Sequence, residues 1–590
     1  MQRKRIIILA IGCLLAICLL LGRLMQLQLF ATEHFSRHRI NLIEASVKQR
    51  TQEMVLDNGR GNFLDRNGIS LTHEKRPVLI LFPFLKQMEW DVKAVADEIN
   101  VSPVLLEKAV ENAKEPFAYG DPEPLALSQE QIENINNLKI PGVFAVEKMD
   151  IMEKNTAEHL IGITGESEEI LRKRYPDKEL SPQTLVGLSG LQKSFDEFLL
   201  PEGKSKLVYH VDATGGPLFG INVKYAGPVS PFYPVNIKTT IDDEFQRMAE
   251  RLTDQHQIKK GGIVLLDIHT NTVLAMVSRP ELNRHDPYNA ETGGIENEMI
   301  KQQIPGSVFK TVVAAAAIDY GLVDGSRLFD CSRKINGEAD PAHPYGMLTF
   351  SDSFARSCNN TFATLANELR EKDPTILGNY AKSLSLVGTV AWEGEIYHLS
   401  NFRQLHEEEA GRVFLKKQDK KDKNFVAMTA IGQHEVRVTP LAAANMMATI
   451  ARGGQKEEVR VASKVEFKNG TSMVAFKPHK MEDSLSKATV IKLQSLLREV
   501  IVNENGTGRV LRELPFQVAG KSGTAETGIF KEDKQLHNKW FAGYFPFENP
   551  KYALVTVQLD VYGDEGGVNP LFADIVKEIY NLEQKKGKVQ

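Results

Sequence analysis

Residues 6–22 form an uncharged, strongly apolar run behind Arg3, Lys4 and Arg5, and residues 24–30 continue it beyond Arg23. About 20 such residues cross a bilayer as a helix, so one membrane span is predicted. A cleaved signal peptide would show a shorter apolar core and a small-x-small site, and none follows. The positive cluster in front places the N-terminus on the cytoplasmic side and residues 31–590 outside.

The rhythm then changes. Arg60-Gly61-Asn62-Phe63-Leu64-Asp65-Arg66-Asn67-Gly68 reads as a strand entering an Asn-Gly turn. A charged region rich in predicted helix and turn follows, with Pro/Gly punctuation around residues 225–234. From Asn236 onward apolar residues become denser. Residues 262–267 and 272–278 read as strands joined by His269-Thr270-Asn271, residues 540–545 and 552–562 as two more, and residues 570–582 as a closing amphipathic helix with proline at its start. Strands come early and late with helices between. The fold class predicted is α+β: an antiparallel sheet with helices on both faces plus a helical lobe. Three segments result: 1–30 cytoplasmic stub and anchor, 31–234 N-terminal domain, 235–590 C-terminal domain.

At 590 residues, 42% hydrophobic and 25% charged, the chain is a multidomain globular protein. A net charge of −4 with interspersed signs offers no basic face, which excludes nucleic acid as a partner. Of four cysteines, Cys13 and Cys18 lie in the anchor. Cys331 and Cys358 are too few for a zinc cluster, and the sequence leaves open whether they pair.

Against this background three short motifs carry chemistry. Ser307-Val308-Phe309-Lys310 opens an alanine-rich helix after Pro305-Gly306. Positions i and i+3 share a helix face, so the amine can approach the hydroxyl. The positive helix end disfavours a protonated amine and helps make it a base. The plain alternative is a capping serine. The same spacing recurs at Ser484-Leu485-Ser486-Lys487, where Ser484 is predicted to cap the helix over 488–502. The second motif, Ser357-Cys358-Asn359, lies between two predicted helices and can present a hydroxyl and an amide to one cleft. The third, Lys521-Ser522-Gly523-Thr524, lies on a predicted strand. Its lysine and hydroxyls suit a carboxylate, and its glycine permits close backbone approach.

In this order the trio resembles the penicillin-binding proteins, and the chain is similar to their class B over nearly its whole length. Further matches are Arg60-Gly61 with Asp65-Arg66-Asn67-Gly68, Thr239-Thr240-Ile241-Asp242 and Gly506-Thr507-Gly508. Two departures are Gln192 after Gly190-Leu191, where glutamate is common, and residues 150–155, where an Arg-x-Tyr-Pro pattern is usual. The resemblance makes 31–234 a dimerisation-type pedestal and 235–590 a transpeptidase domain. It implies a peptidoglycan D,D-transpeptidase with Ser307 as nucleophile, Lys310 as its base, Ser357 as proton relay, Asn359 holding the substrate amide, and Lys521, Ser522, Gly523 and Thr524 binding the terminal carboxylate. Backbone N–H groups of Ser307 and Thr524 would form the oxyanion hole. Stem peptides, β-lactams and a membrane glycosyltransferase are the implied partners, with no metal or organic cofactor. The N-terminal half lacks the glycosyltransferase motifs of class A relatives. A β-lactam hydrolase or sensor is the first alternative. A class A hydrolase, however, needs a Glu-x-x-Leu-Asn element between the second and third motifs, and none is found. A catalytically dispensable scaffold is the other.

Overall fold

The computed structural model describes residues 2–30, 32, 41, 42, 46, 50–178, 180–212, 216, 218, 224–227, 230–284, 286–289, 294–481 and 485–589. Residues Arg3–Leu29 form one helical stretch of 27 residues, in which an 18-residue window has mean hydropathy 2.7, long and apolar enough to cross a membrane. Its α-helical part is α1 (Gln2–Met25).

Two compact units follow from the contacts. The first gathers Met1–Gly59, Glu74–Ile151 and Glu202–Pro231; the second gathers Arg60–His73, Met152–Pro201 and Phe232–Gln590. The chain passes from the first unit to the second for the last time between Pro231 and Phe232. The earlier crossings come from long-range pairing: strand Asn62–Leu64 lies parallel to Asn236–Thr239, with Phe63 opposite Ile237.

The first unit contains more sheet than its charged sequence predicts. One three-stranded sheet orders Thr51–Asp57, Ser205–His210 and Lys224–Ala226; another orders Phe117–Ala118, His73–Leu81 and Val143–Ile151. Half-exposed strands such as Val143–Ile151 carry charges on their open face and so do not stand out as apolar runs. Their inward residues, among them Val78, Ile80, Leu207 and Tyr209, form a separate core.

In the second unit, five antiparallel strands are ordered β2-β1-β5-β4-β3: β1 (Gly261–Asp267), β2 (Thr272–Arg279), β3 (Ala519–Lys531), β4 (Lys534–Phe545) and β5 (Tyr552–Tyr562). Strand β3 is therefore an edge. Asn271, with φ 50°, makes the β1–β2 turn. Two helices cover one face, α2 (Asp243–Gln255) and, at the far end of the chain, Asn569–Val589. Phe245 packs on Tyr552, and Phe572 on Phe541 and Phe545. Asp242 caps α2 by accepting a hydrogen bond from the Phe245 amide.

The helical lobe surrounds α3 (Lys310–Asp319), whose first eight residues are all buried. Its alanines let neighbouring helices approach closely, while burial of Val312 and Val313 contributes about 1.5–3 kcal/mol each. The lobe also contains α4 (Phe350–Ala355), while α5 (Asn359–Lys372) and α7 (Lys487–Val502) pack on α3 and α6 (Pro440–Ala451) packs on β1, β4 and β5 of the sheet. The cap of α7 is Ser486, which accepts from the Thr489 amide. Ser484 lies outside the described residues.

Candidate active site

Ser307 lies in a 3-10 turn, Gly306–Phe309, that runs directly into α3. Two interactions fix this turn. The Trp540 indole N–H donates to the Ile304 carbonyl at 3.0 Å, and the Gly306 amide donates to Gly432 at 3.1 Å. The turn also presses on edge strand β3. A Cβ at Gly523 would lie 2.5 Å from the Pro305 carbonyl oxygen, and one at Gly306, where φ is 55°, 2.3 Å from that of Thr524. Glycine at both places lets the Ser307 turn and the Lys521 strand meet backbone to backbone.

Ser357 is the hinge between α4 and α5, with φ 60°, a left-handed conformation rarely adopted by serine. That geometry turns its hydroxyl and carbonyl toward Lys310. The Lys310 amine lies 2.7 Å from the Ser357 carbonyl, 3.0 Å from its Oγ and 2.6 Å from Asn359 Oδ1. The expectation that the amine would address Ser307 is thus modified, because its hydrogen-bonding partners come from the second motif. Lys521 Nζ donates to the same Ser357 Oγ at 3.0 Å and to the Ser522 carbonyl at 3.2 Å.

Both lysines are fully buried without a carboxylate among these partners. Burial first, then the neighbouring charge of Lys521, holds the Lys310 amine well below its ordinary value. The helix end acts in the same direction. Burial alone brings Lys521 down to about 7. A neutral Lys310 has two N–H donors and one lone pair. It can donate to the Ser357 carbonyl and Asn359 while accepting from the Ser357 hydroxyl, whose oxygen in turn accepts from Lys521.

These groups border an open cleft whose lining includes Ser307, Ser357, Asn359, Ser522 and Thr524. Along β3, Ser522 and Thr524 share one side by strand alternation, while Lys521 turns inward. Ser522 donates to the Thr507 hydroxyl at 2.7 Å, which ties the Gly506-Thr507-Gly508 segment to the site. The sequence reading did not single out Arg356, Glu526 or His537 of the lining. A glutamate two residues beyond Thr524 on a predicted strand was the available signal for the second of them. The cysteines on either side of the site are joined: Cys331 and Cys358 form a disulfide. Among the described residues no cluster suited to a metal ion occurs.

The departure at Gln192 has a local resolution. Arg60, buried, donates to Gln192 Oε1 at 2.8 and 3.2 Å and pairs with Asp196 at 2.9 Å. Arg174 and the Tyr175 hydroxyl also reach Asp196, at 3.0 and 2.9 Å. Gln192 accepts the hydrogen bonds and Asp196 supplies the charge.

Fold and cleft together define a penicillin-binding protein. The chain belongs to the family of the penicillin binding protein transpeptidase domain, which matches residues 261–579, and the penicillin-binding protein dimerisation domain matches 56–226, the pairing of class B. It is similar to the peptidoglycan D,D-transpeptidase MrdA of Acinetobacter baumannii, at 24% identity over 100% of this chain and 90% of that one. The Haemophilus influenzae protein of the same name is 22% identical over 100% of this chain and 93% of its own. A peptidoglycan D,D-transpeptidase, PbpA of Mycobacterium tuberculosis, is 24% identical over 55% and 67% of the respective chains. The fold is shared with a chain from a structural study of polymerization and crosslinking by a peptidoglycan synthase complex, with TM-score 0.66, 22% identity and coverage of 98% and 97%.

Proposed function

We propose that the protein is a peptidoglycan D,D-transpeptidase that works through an acyl-enzyme on Ser307 and is blocked by β-lactams. The observation that carries this reading is the Ser357 hydroxyl held 3.0 Å from both buried lysine amines, beside the Ser307 turn. Neutral Lys310 takes the Ser307 proton as Oγ attacks the carbonyl between the two terminal D-alanines of a stem peptide. Backbone N–H groups of Ser307 and Thr524 receive the developing oxyanion, an effect usually worth a few kcal/mol. The C–N bond then breaks, the proton passes from Lys310 through Ser357 to the departing amine, and D-alanine leaves. Asn359 holds the stem amide. Lys521, Ser522 and Thr524 hold the terminal carboxylate, and Gly523 gives the strand its close approach. An amine from a second stem attacks the ester, surrenders its proton along the same path and frees Ser307.

The apolar N-terminal helix supports a single-pass anchor. The positive residues Arg3, Lys4 and Arg5 support a cytoplasmic N-terminus with the catalytic part outside. A membrane glycosyltransferase that polymerises glycan is the partner we propose for the complex.

Two measurements test the activity. Peptide mapping after fluorescent penicillin labelling is expected to find the adduct on Ser307. A stem peptide ending in D-alanyl-D-alanine plus an acceptor amine is expected to give D-alanine and a cross-linked product, both lost in Ser307→Ala. An adduct on another serine, or turnover surviving in Ser307→Ala, overturns the assignment.

A further inference from the structure

Positive and negative residues are mixed along most of the chain, but one turn of the helical lobe breaks the pattern. Lys416, Lys417, Lys420, Lys421 and Lys423 place five cations within residues 416–423. The two aspartates among them are spent on the backbone. Asp419 is buried and accepts from the Lys416 amide at 3.2 Å. Asp422 caps the helix Lys423–Ala430, accepting from the Asn424 and Phe425 amides at 2.8 and 3.0 Å. Arg370 of α5 adds a hydrogen bond to the Lys421 carbonyl at 3.3 Å. The segment is thus folded against the lobe, with four of its lysines exposed and Lys420 half-buried. Among the described residues none of the five forms an ion pair, and Asp373 acts on Lys420 only through space.

A run of like charge is by default a solvated surface, and two observations set this one apart. The first is its continuity with the catalytic cleft. The helix that begins at Lys423 carries Met428 into the cleft lining, and Ile431 and Gln433, just past its end, line it too. From Lys423 to Met428 the helix advances about 7–8 Å, so the lysines begin close to the cleft wall. The second is an aromatic surface beside them. Phe425 is 39% exposed, and its ring stacks on His434 with centroids 4.4 Å apart and planes 13° from parallel. A flat, part-exposed ring suits the apolar face of a sugar, whose C–H bonds meet the negative face of the π system. Lysines on flexible stems, for their part, act on carboxylates as point charges and need no fixed fork geometry.

We infer that residues 416–425 form a docking surface outside the cleft for the peptidoglycan strand itself: the lysines hold carboxylates of stems that neighbour the one being acylated, and Phe425 meets a sugar ring. The inference rests on the transpeptidase reading and adds to it a contact with the polymer. Carboxylates recur on every stem of such a strand, so while one stem occupies the cleft its neighbours stay within reach. Each exposed contact is weak and screened by salt. Several on one strand act together, because the first raises the effective concentration of the next.

The test separates this surface from the cleft by filling the cleft first. Full-length protein is acylated with benzylpenicillin and then titrated with uncrosslinked peptidoglycan strands that carry intact stems. Lys417→Glu combined with Lys421→Glu, at two exposed positions, is expected to weaken strand binding by about tenfold. Arginine at both positions should keep it. Strands whose carboxylates have been converted to amides should bind the parent about as weakly as native strands bind the glutamate variant. Added salt should weaken binding to the parent more than to that variant. Poly(glycerol phosphate) and phosphatidylglycerol vesicles are titrated in parallel as other anionic occupants. Strand binding unmoved by the charge reversal, or tighter lysine-dependent binding of either alternative than of strands, overturns the inference. Labelling of Ser307 is read in the same samples: its absence from the parent overturns the transpeptidase reading, whereas charge-independent strand binding with labelling intact overturns the docking surface alone.

Discussion

Lys310 and Lys521 meet at one oxygen: each amine nitrogen lies 3.0 Å from the Ser357 hydroxyl. Two cations sharing a buried acceptor repel each other, so the pair is most stable with one proton fewer. Burial and the neighbouring charge of Lys521 both push the Lys310 amine down, which favours Lys310 as the neutral partner. Arginine at 310 would keep the charge but could not accept a proton. Lys310→Arg is therefore expected to lose acylation about as severely as Lys310→Ala, by ~10²- to 10⁴-fold. The check is the second-order rate with a chromogenic β-lactam on variants whose melting curves match the parent. Substantial activity in the arginine variant would refute the base role.

The pH dependence follows from the partner. Burial brings Lys521 to about 7 in the empty cleft, so above that pH an anionic donor increasingly meets a neutral amine. Acylation by benzylpenicillin is expected to decline as pH rises past about 7. Lys521→Arg should move that decline to higher pH, whatever its effect on the maximum rate. Stability runs the other way. The unfolded lysine titrates near its ordinary 10.5, so between about 7 and 10.5 the unfolded chain binds more protons and this contribution to stability rises with pH. Urea midpoints at pH 7 and 9 should rise less in Lys521→Met than in the parent.

How much of this was visible in the sequence depends on the range of each interaction. Ser307, Lys310, Ser357, Asn359 and Lys521 each stand in a short motif, and the strands β1, β2 and β5 show as apolar runs because the sheet is covered. What the motifs could not show is which side chains meet. The hydrogen bonds of Lys310 to residues almost fifty positions away, the Cys331–Cys358 bond and the Arg60–Gln192–Asp196 cluster depend on the tertiary fold. The capping error at α7 has a local cause. Ser484 and Ser486 have equal intrinsic capping preference, and the choice falls to where the first turn of α7 packs.

Gly523 tests the contact between strand and nucleophile turn. An alanine methyl there would lie 2.5 Å from the Pro305 carbonyl and 3.0 Å from Val308 Cγ2, both in or beside the turn that carries Ser307. The nearer of the two atoms is backbone, which leaves little room to yield. Gly523→Ala is expected to cost about 1–3 kcal/mol of stability through overpacking, and to slow acylation even at temperatures where the variant is fully folded. Parent-like acylation would show that the two segments can separate without loss of geometry.

The disulfide supplies the last prediction. Cys358 stands between Ser357 and Asn359, the two residues that hold Lys310, and its sulfur is bonded to Cys331. Ser357 meanwhile keeps φ at 60°, a conformation of the kind that costs of order 1–3 kcal/mol and persists only where its surroundings enforce it. The covalent tie to Cys331 is one such constraint, alongside the hydrogen bonds from Lys310. A dithiol reductant replaces the S–S bond by two thiols and is itself oxidised to a disulfide, which releases the turn. Acylation of the reduced protein is expected to be roughly tenfold slower than that of the oxidised protein, as relaxation of such strain implies, and to recover on reoxidation. Cys331→Ser should match the reduced rate without reductant and show no further response to it. Because loss of a native disulfide also lowers global stability, typically by 2–5 kcal/mol, rates are compared where circular dichroism shows both forms folded. Equal rates for the oxidised and reduced proteins under that condition would mean that hydrogen bonding alone holds Ser357 in place.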